Sequence, residues 1–222
     1  MWCIPKVDDA FVRRMNDVLD LYAKPYDPGE PVICFDEKSK QLLADAGAGV
    51  PCAAGAPARR DYEYTRNGTR NIFIAVEPKG GYREATVTER RTKKDFALEI
   101  DRLAALPRYR RAAKIHFVLD NLNTHFEASA IATFGKKRAH TLLRRIVFHH
   151  TPLHASWLNM AEIELSILSR QALRGRIGTA ALLSERIGRW QEGRNTRSAT
   201  IQWKFTRDDA RRVFKYDIGA QN

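Results

Sequence analysis

Three acidic side chains carry the chemistry that this sequence is best equipped for. Asp36 closes the run V-I-C-F-D, Asp120 closes H-F-V-L-D, and Glu162 stands inside S-W-L-N-M-A-E-I-E. Carboxylate oxygens are hard donors that favour Mg²⁺ or Mn²⁺ over Zn²⁺. Carboxylates gathered from distant parts of a chain onto one such site are suited to phosphodiester chemistry. Taken singly, each has an ordinary reading, since an Asp after an apolar run is commonly a turn former or helix cap. Glu164 also competes with Glu162: the apolar positions Trp157, Ala161, Leu165 and Leu168 form a stripe that both glutamates flank, and periodicity does not choose between them.

For these acids to meet, the elements that bear them must converge. Residues 32–35 and 115–119 are β-branched and aromatic runs that predict buried strands. Laid side by side and parallel through a right-handed crossover, they would deliver Asp36 and Asp120 to the C-terminal edge of one sheet, where open α/β sheets carry their sites. Phe11, Met15, Val18, Leu19 and Tyr22 recur at helical spacing over 8–23, and the Pro-Gly-rich stretch that follows ends that helix. Lys79-Gly80-Gly81 joins two strands over 72–76 and 82–88 into a hairpin. Further helices are predicted over 93–106, 128–134, 157–173, 180–191 and 206–213, with a strand over 145–149. Residues 43–60, rich in Ala, Gly and Pro, read as a surface loop, and Asp61, Arg66, Asn67 and Gly68 as turn chemistry. The order predicts an α/β fold, a mixed five-stranded sheet of the ribonuclease-H type flanked by helices. It divides into an N-terminal linker helix (1–30), a catalytic core (31–178) and a basic helical C-terminal extension of the same domain (179–222).

Composition limits the partners. The 222 residues include 38 Lys and Arg against 26 Asp and Glu, a formal charge of +12, which suits a polyanion such as DNA. Residues 165–222 hold twelve of the cations and five of the acids, making the C-terminal arm the expected phosphate-contacting element. The cysteines, Cys3, Cys34 and Cys52, are odd in number and lack C-x-x-C spacing, so a reducing, cytoplasmic compartment is expected rather than a disulfide or zinc framework. No apolar run approaches a membrane span, and no signal pattern opens the chain. The motif H-H-T-P-L-H, with His149, His150 and His154, reads as a strand end leading to the helix of Glu162.

The strings C-F-D-E-K-S-K-Q, D-Y-E-Y-T-R-N-G-T, V-L-D-N-L-N-T-H and T-P-L-H-A-S-W-L-N-M-A-E-I-E-L-S-I-L-S-R-Q resemble the catalytic domain of bacterial insertion-sequence transposases related to the mariner group. The resemblance implies an Asp, Asp, Glu triad on Asp36, Asp120 and Glu162, and its L-N-x-x-E spacing selects Glu162 over Glu164. It further implies two Mg²⁺ or Mn²⁺ ions, with Asp36 bridging both, Asp120 holding one and Glu162 the other. DNA strand cleavage and 3′-hydroxyl strand transfer in cut-and-paste transposition would follow, beside a TA dinucleotide, on double-stranded transposon ends and target within a homodimeric synapse at the nucleoid. Asn121, Asn123, His125 and Asn159 are candidates to orient the carboxylates or contact DNA. Members of this group generally begin with helix-turn-helix modules, whereas this sequence starts at Met1-Trp2-Cys3, so the DNA-reading part is expected to be missing. The 41 residues between Asp120 and Glu162 are more than is usual in the wider mariner group, and the extra length is expected around 135–145. Two other readings remain: a catalytically inert DNA-binding remnant, and another ribonuclease-H-like nuclease such as a junction resolvase.

Overall fold

The chain forms one mixed sheet held between two helical layers, in a computed structural model that describes residues 7–59, 62–120 and 126–216. In chain order the elements are α1 (Asp9–Ala23), β1 (Val32–Asp45), β2 (Tyr64–Glu77), β3 (Tyr82–Thr88), α2 (Lys93–Ala105), β4 (Ile115–Leu119), α3 (Phe126–Phe134), α4 (Lys136–Leu143), β5 (Ile146–His150), α5 (Ala161–Gln171), α6 (Ala180–Thr196) and α7 (Arg207–Phe214). The sheet order is β3-β2-β1-β4-β5. β1, β2 and β3 form an antiparallel meander, whereas β4 and β5 run parallel to β1 and to each other. This is the ribonuclease-H-like arrangement that the order of elements predicts.

The alternation of side chains along β1 builds both cores. Ile33 and Phe35 face α2, α3 and α4, where Phe35 meets Phe73, Phe96 and Phe117. Cys34 faces the opposite layer, made by α1, α5 and α6 with Met15, Val18, Leu165, Leu168 and Ile187. Burial in that layer pushes the Cys34 thiol up to about 12, so it stays protonated. Tyr22 donates its hydroxyl hydrogen to the Leu158 carbonyl at 2.8 Å, fastening α1 to the turn ahead of α5. On the outside of this layer, Trp157 stacks with Trp203 and meets Phe205 and Phe214, so residues 201–214 close the core from the C-terminal side.

Several elements differ from the sequence expectation. β1 and β2 run on past the sheet's centre as a two-stranded arm, so 43–45 and 64–70 are strand rather than loop and turn. Residues 64–70 of β2 are largely polar and exposed, and of K-S-K-Q-L-L-A-D in β1 only Leu42 is buried, so cross-strand pairing sustains the arm without the alternation that marks a strand in sequence. Arg66 pairs with Leu43, and Gly68, at φ +84°, stands beside the register shift between Gln41 and Leu43, where a bulge needs left-handed backbone. Asp36 accordingly lies within a strand instead of closing one. The stretch just before Arg145, where the sequence reading has no element, is helical: α4 has only Ala139 and Leu142 buried and carries K-K-R in its first turn, a pattern too polar and too short to show a clear period. The helix bearing Glu162 starts at Ala161 and not at Trp157, because a single 3₁₀ turn, Ser156–Leu158, and an extended Asn159 precede it. Asp61, Asn121, Asn123 and His125 lie outside the described residues. Among the described residues, no helix is long and apolar enough to cross a membrane.

Candidate active site

Strand register brings the two aspartates together. β1 and β4 pair Val32 with His116, Ile33 with Phe117 and Cys34 with Val118. The same offset carried two residues further sets Asp36 beside Asp120, on the face turned towards α5. Asp120 leaves the sheet where β4 ends, held by its own backbone: the His150 ring N–H donates to the Asp120 carbonyl at 3.2 Å, and Thr151 N–H donates to the Leu119 carbonyl at 3.0 Å. β5 thus holds the second acid in place, a role that nothing in the spacing of H-H-T-P-L-H announces. His149 turns elsewhere, bonding the His116 ring at 2.9 Å and the Asp17 carboxylate at 2.7 Å.

The third acid comes from α5, and one asparagine sets that helix against β1. Asn159 Nδ2 donates to the Phe35 carbonyl at 2.9 Å, one residue before Asp36, and Asn159 Oδ1 accepts from Ala161 N–H at 3.1 Å. The Asn159 carbonyl also accepts from Glu162 N–H at 3.1 Å. Asn159 therefore ties the strand of the first acid to the helix start that carries the third. It is 1% exposed, with its side chain turned to this junction and away from the surface.

Glu162 and Glu164 occupy opposite environments on α5. Glu164 is fully buried and bound by Arg83, itself fully buried, at 2.5 Å, and by Arg194. Its carboxylate is engaged in joining α5 to β3 and α6. Glu162 is exposed on the face towards β1 and acts on Asp36 through its charge.

The electrostatics of the cluster are those of crowded, partly buried carboxylates. Burial first, then the neighbouring carboxylates of Glu162, Glu37 and Asp120, push the Asp36 carboxyl up to about 7, against the pull of the Glu37 N–H that it accepts at 2.8 Å. Glu37 is raised in the same way, by burial and by Asp120, with Arg91 opposing. Glu37 is not among the acids that the sequence pattern selects; its place directly after Asp36 is the available signal. Among the described residues, no three His, Cys, Asp or Glu side chains form a ready-made metal cage. The donor set nevertheless fits a hard divalent cation: all oxygens, with an Asp36 carboxyl raised to about 7 that such a charge would pull back down. Glu162, exposed at the start of its helix, can move towards an ion without disturbing the core.

The model of the DDE superfamily endonucleases matches residues 31–183. Among solved structures, the chain is similar to the Mos1 mariner paired-end complex with Mn, at 15% identity and a TM-score of 0.52, over 87% of this chain and 58% of that one. It is also similar to the Mos1 transposase paired-end complex with left transposon end (16%, 0.53, 86% and 57%) and to a pre-cleavage Mos1 transpososome (14%, 0.52, 90% and 64%). At these identities the likeness is one of fold, and the chain spans less than two thirds of the length of each of these proteins. No curated protein matches it.

Proposed function

The chain belongs to the DDE superfamily of endonucleases, and from that premise we propose that it cleaves DNA strands and transfers the freed 3′-hydroxyl, as the catalytic part of a cut-and-paste transposase. The observation that carries this reading is the convergence of Asp36, Asp120 and Glu162, with the Asp36 carboxyl held near 7 by burial and by the other acids. Asp36, Asp120 and Glu162 would together hold the Mg²⁺ or Mn²⁺ ions that the reaction needs. When bound, these ions supply the positive charge that activates the attacking oxygen and stabilises the leaving one. The solved Mos1 mariner complex with Mn lends this assignment support by likeness of fold.

The remaining work falls to the chain's own residues. Asn159 fixes the distance between β1 and α5, and His150 holds the Asp120 backbone, so the carboxylates meet their load with little reorganisation. No Ser, Cys or Lys nucleophile is required, since positioning and charge neutralisation carry phosphoryl transfer. The partners would be double-stranded transposon ends and target DNA at the nucleoid, in a homodimeric synapse.

The test is Mg²⁺- and Mn²⁺-dependent nicking of supercoiled DNA by the full chain beside Asp36→Asn, Asp120→Asn and Glu162→Gln. Nicking present in the parent and lost in all three is the expected result. Nicking that survives all three overturns the site, and metal-independent DNA binding with no nicking in any protein favours the inert remnant.

A further inference from the structure

The expectation that the C-terminal arm meets phosphates rests on a count of charges, and the structure redistributes that count. Six of the arm's twelve cations are engaged: Arg176, Arg189, Arg194, Arg207, Arg211 and Arg212 each pair with a carboxylate. The arm's other six have no carboxylate partner among the described residues, and as many again are gathered where the sequence holds no acid. No Asp or Glu occurs between Asp101 and Asp120 or between Glu127 and Glu162, yet these stretches hold ten Lys and Arg. Three of the ten pair with acids, Arg102 with Glu84 and Glu99, Arg108 with Glu77, and Arg138 with Asp101. Arg145 is spent on the carbonyls of Ala104, Tyr109 and Ala112. The other six, Arg110, Arg111, Lys114, Lys136, Lys137 and Arg144, are exposed and have no carboxylate partner among the described residues.

Folding ties the two stretches together. The Arg145 guanidinium stitches the loop after α2 to the end of α4, and Lys114 Nζ donates to the Arg144 carbonyl at 2.7 Å. Arg110 and Arg111 therefore lie beside Arg144, and Lys136 and Lys137 extend the row along α4. An eight-residue helix is about 12 Å long. With the adjoining loop, the row spans several phosphates of a strand whose charges recur about every 3.4 Å along the axis. It is an open row and not a cup, which suits a linear polyanion better than a small anion. α4 packs on the face of the sheet that holds Phe35 and Phe117, opposite the face of Asp36 and Glu162. Lys114 and Arg144 precede β4 and β5, so they stand at the edge where these strands begin, a strand length of roughly 17 Å from the edge of Asp120.

We propose that the α4 row is a second DNA surface, gripping the phosphate backbone of a duplex segment other than the one over the carboxylates, without regard to sequence. The proposal rests on DNA being the substrate of the proposed function, and its test keeps the two apart. Binding of a labelled random-sequence duplex is measured in EDTA over a series of salt concentrations for the full chain. A triple variant of the row (Arg111→Ala, Lys137→Ala, Arg144→Ala) is compared with a charge-matched triple in the C-terminal arm (Arg174→Ala, Arg197→Ala, Lys204→Ala). The row variant is expected to bind at least tenfold more weakly, with the slope of log K against log salt reduced by about 2 to 3; the arm variant should change less than threefold. Should the row variant misfold, acetylation of Lys136 and Lys137 in the parent chain gives the second reading, with protection by duplex expected. Equal losses in the two triples, unprotected lysines, or row-dependent binding to anionic vesicles in place of duplex each overturn the proposal. Asp36→Asn should leave this binding unchanged while abolishing nicking. If nicking ignores Asp36 but the row result stands, only the proposed function falls.

Discussion

Two residues apart on α5, Glu162 and Glu164 predict opposite consequences of the same substitution. Glu164→Gln leaves the fully buried Arg83 without its counter-charge, and two Arg83 nitrogens already lack partners. Breaking such a pair costs about 3–5 kcal/mol, so a large drop in melting temperature is expected. Glu162→Gln, at an exposed position, should stay within about 0.5 kcal/mol of the parent while losing nicking; thermal melts beside nicking assays separate the two. Asp36 gives a pH signature. Its folded-state carboxyl titrates near 7 and its unfolded one near 4, so the folded state holds the extra proton between those values and stability falls as pH rises through that window. Asp36→Asn should therefore be more stable than the parent in EDTA at pH 8, by on the order of a few kcal/mol, with the gap closing by about pH 4. Added Mg²⁺ should raise the melting temperature of the parent and not that of the variant.

At the scale of elements, the junction of β1 and α5 sets the geometry of the site. Asn159 supplies both halves of that junction, a donor to the Phe35 carbonyl and an acceptor for the first turn of α5. Asn159→Ala removes both and strands a buried carbonyl, at about 1–3 kcal/mol for the unmet group. Beyond this loss, a positioning role predicts a higher Mg²⁺ requirement for nicking, measured as the metal concentration at half-maximal rate. A purely structural role would lower stability and leave that requirement unmoved. The β1–β2 arm answers to different forces, since Arg176 binds Asp45 and the backbone of Tyr62 and Glu63, tying the segment between α5 and α6 to it.

For the whole molecule, the matched stretch 31–183 is smaller than the folding unit. α1 contributes Phe11, Met15, Val18, Leu19, Leu21 and Tyr22 to the same cluster as α5 and α6. Phe214 of α7 packs on Phe11 and Trp157. A fragment of residues 31–183 would expose these faces, and burying a large apolar side chain is worth about 1.5–3 kcal/mol, so the losses exceed the margin of an ordinary domain. It should show no cooperative thermal transition and should bind a hydrophobic dye, whereas the full chain melts cooperatively.

The linear order of residues carried the sheet and the identity of the candidate acids. Strands 32–35 and 115–119 and the Gly-Gly hairpin show in short-range patterning, because a buried strand needs consecutive apolar residues and a tight turn needs glycine. Periodicity left Glu162 and Glu164 open, since both flank one apolar stripe; the family resemblance chose between them, and the fold then supplied a separate occupation for Glu164 in Arg83 and Arg194. Those arginines are 81 and 30 positions away, a distance that local pattern does not span. The length of the β1–β2 arm, the presence of α4 and the Asn159 junction were hidden for a related reason: each is sustained by partners remote in sequence and not by its own periodicity. Charge shows the same division most clearly. A count along the chain favours the C-terminal arm, but whether a cation is free for a phosphate depends on which carboxylates folding brings within about 4 Å of it; folding spends half of the arm's cations and leaves six more without a carboxylate in the acid-free stretches around α4.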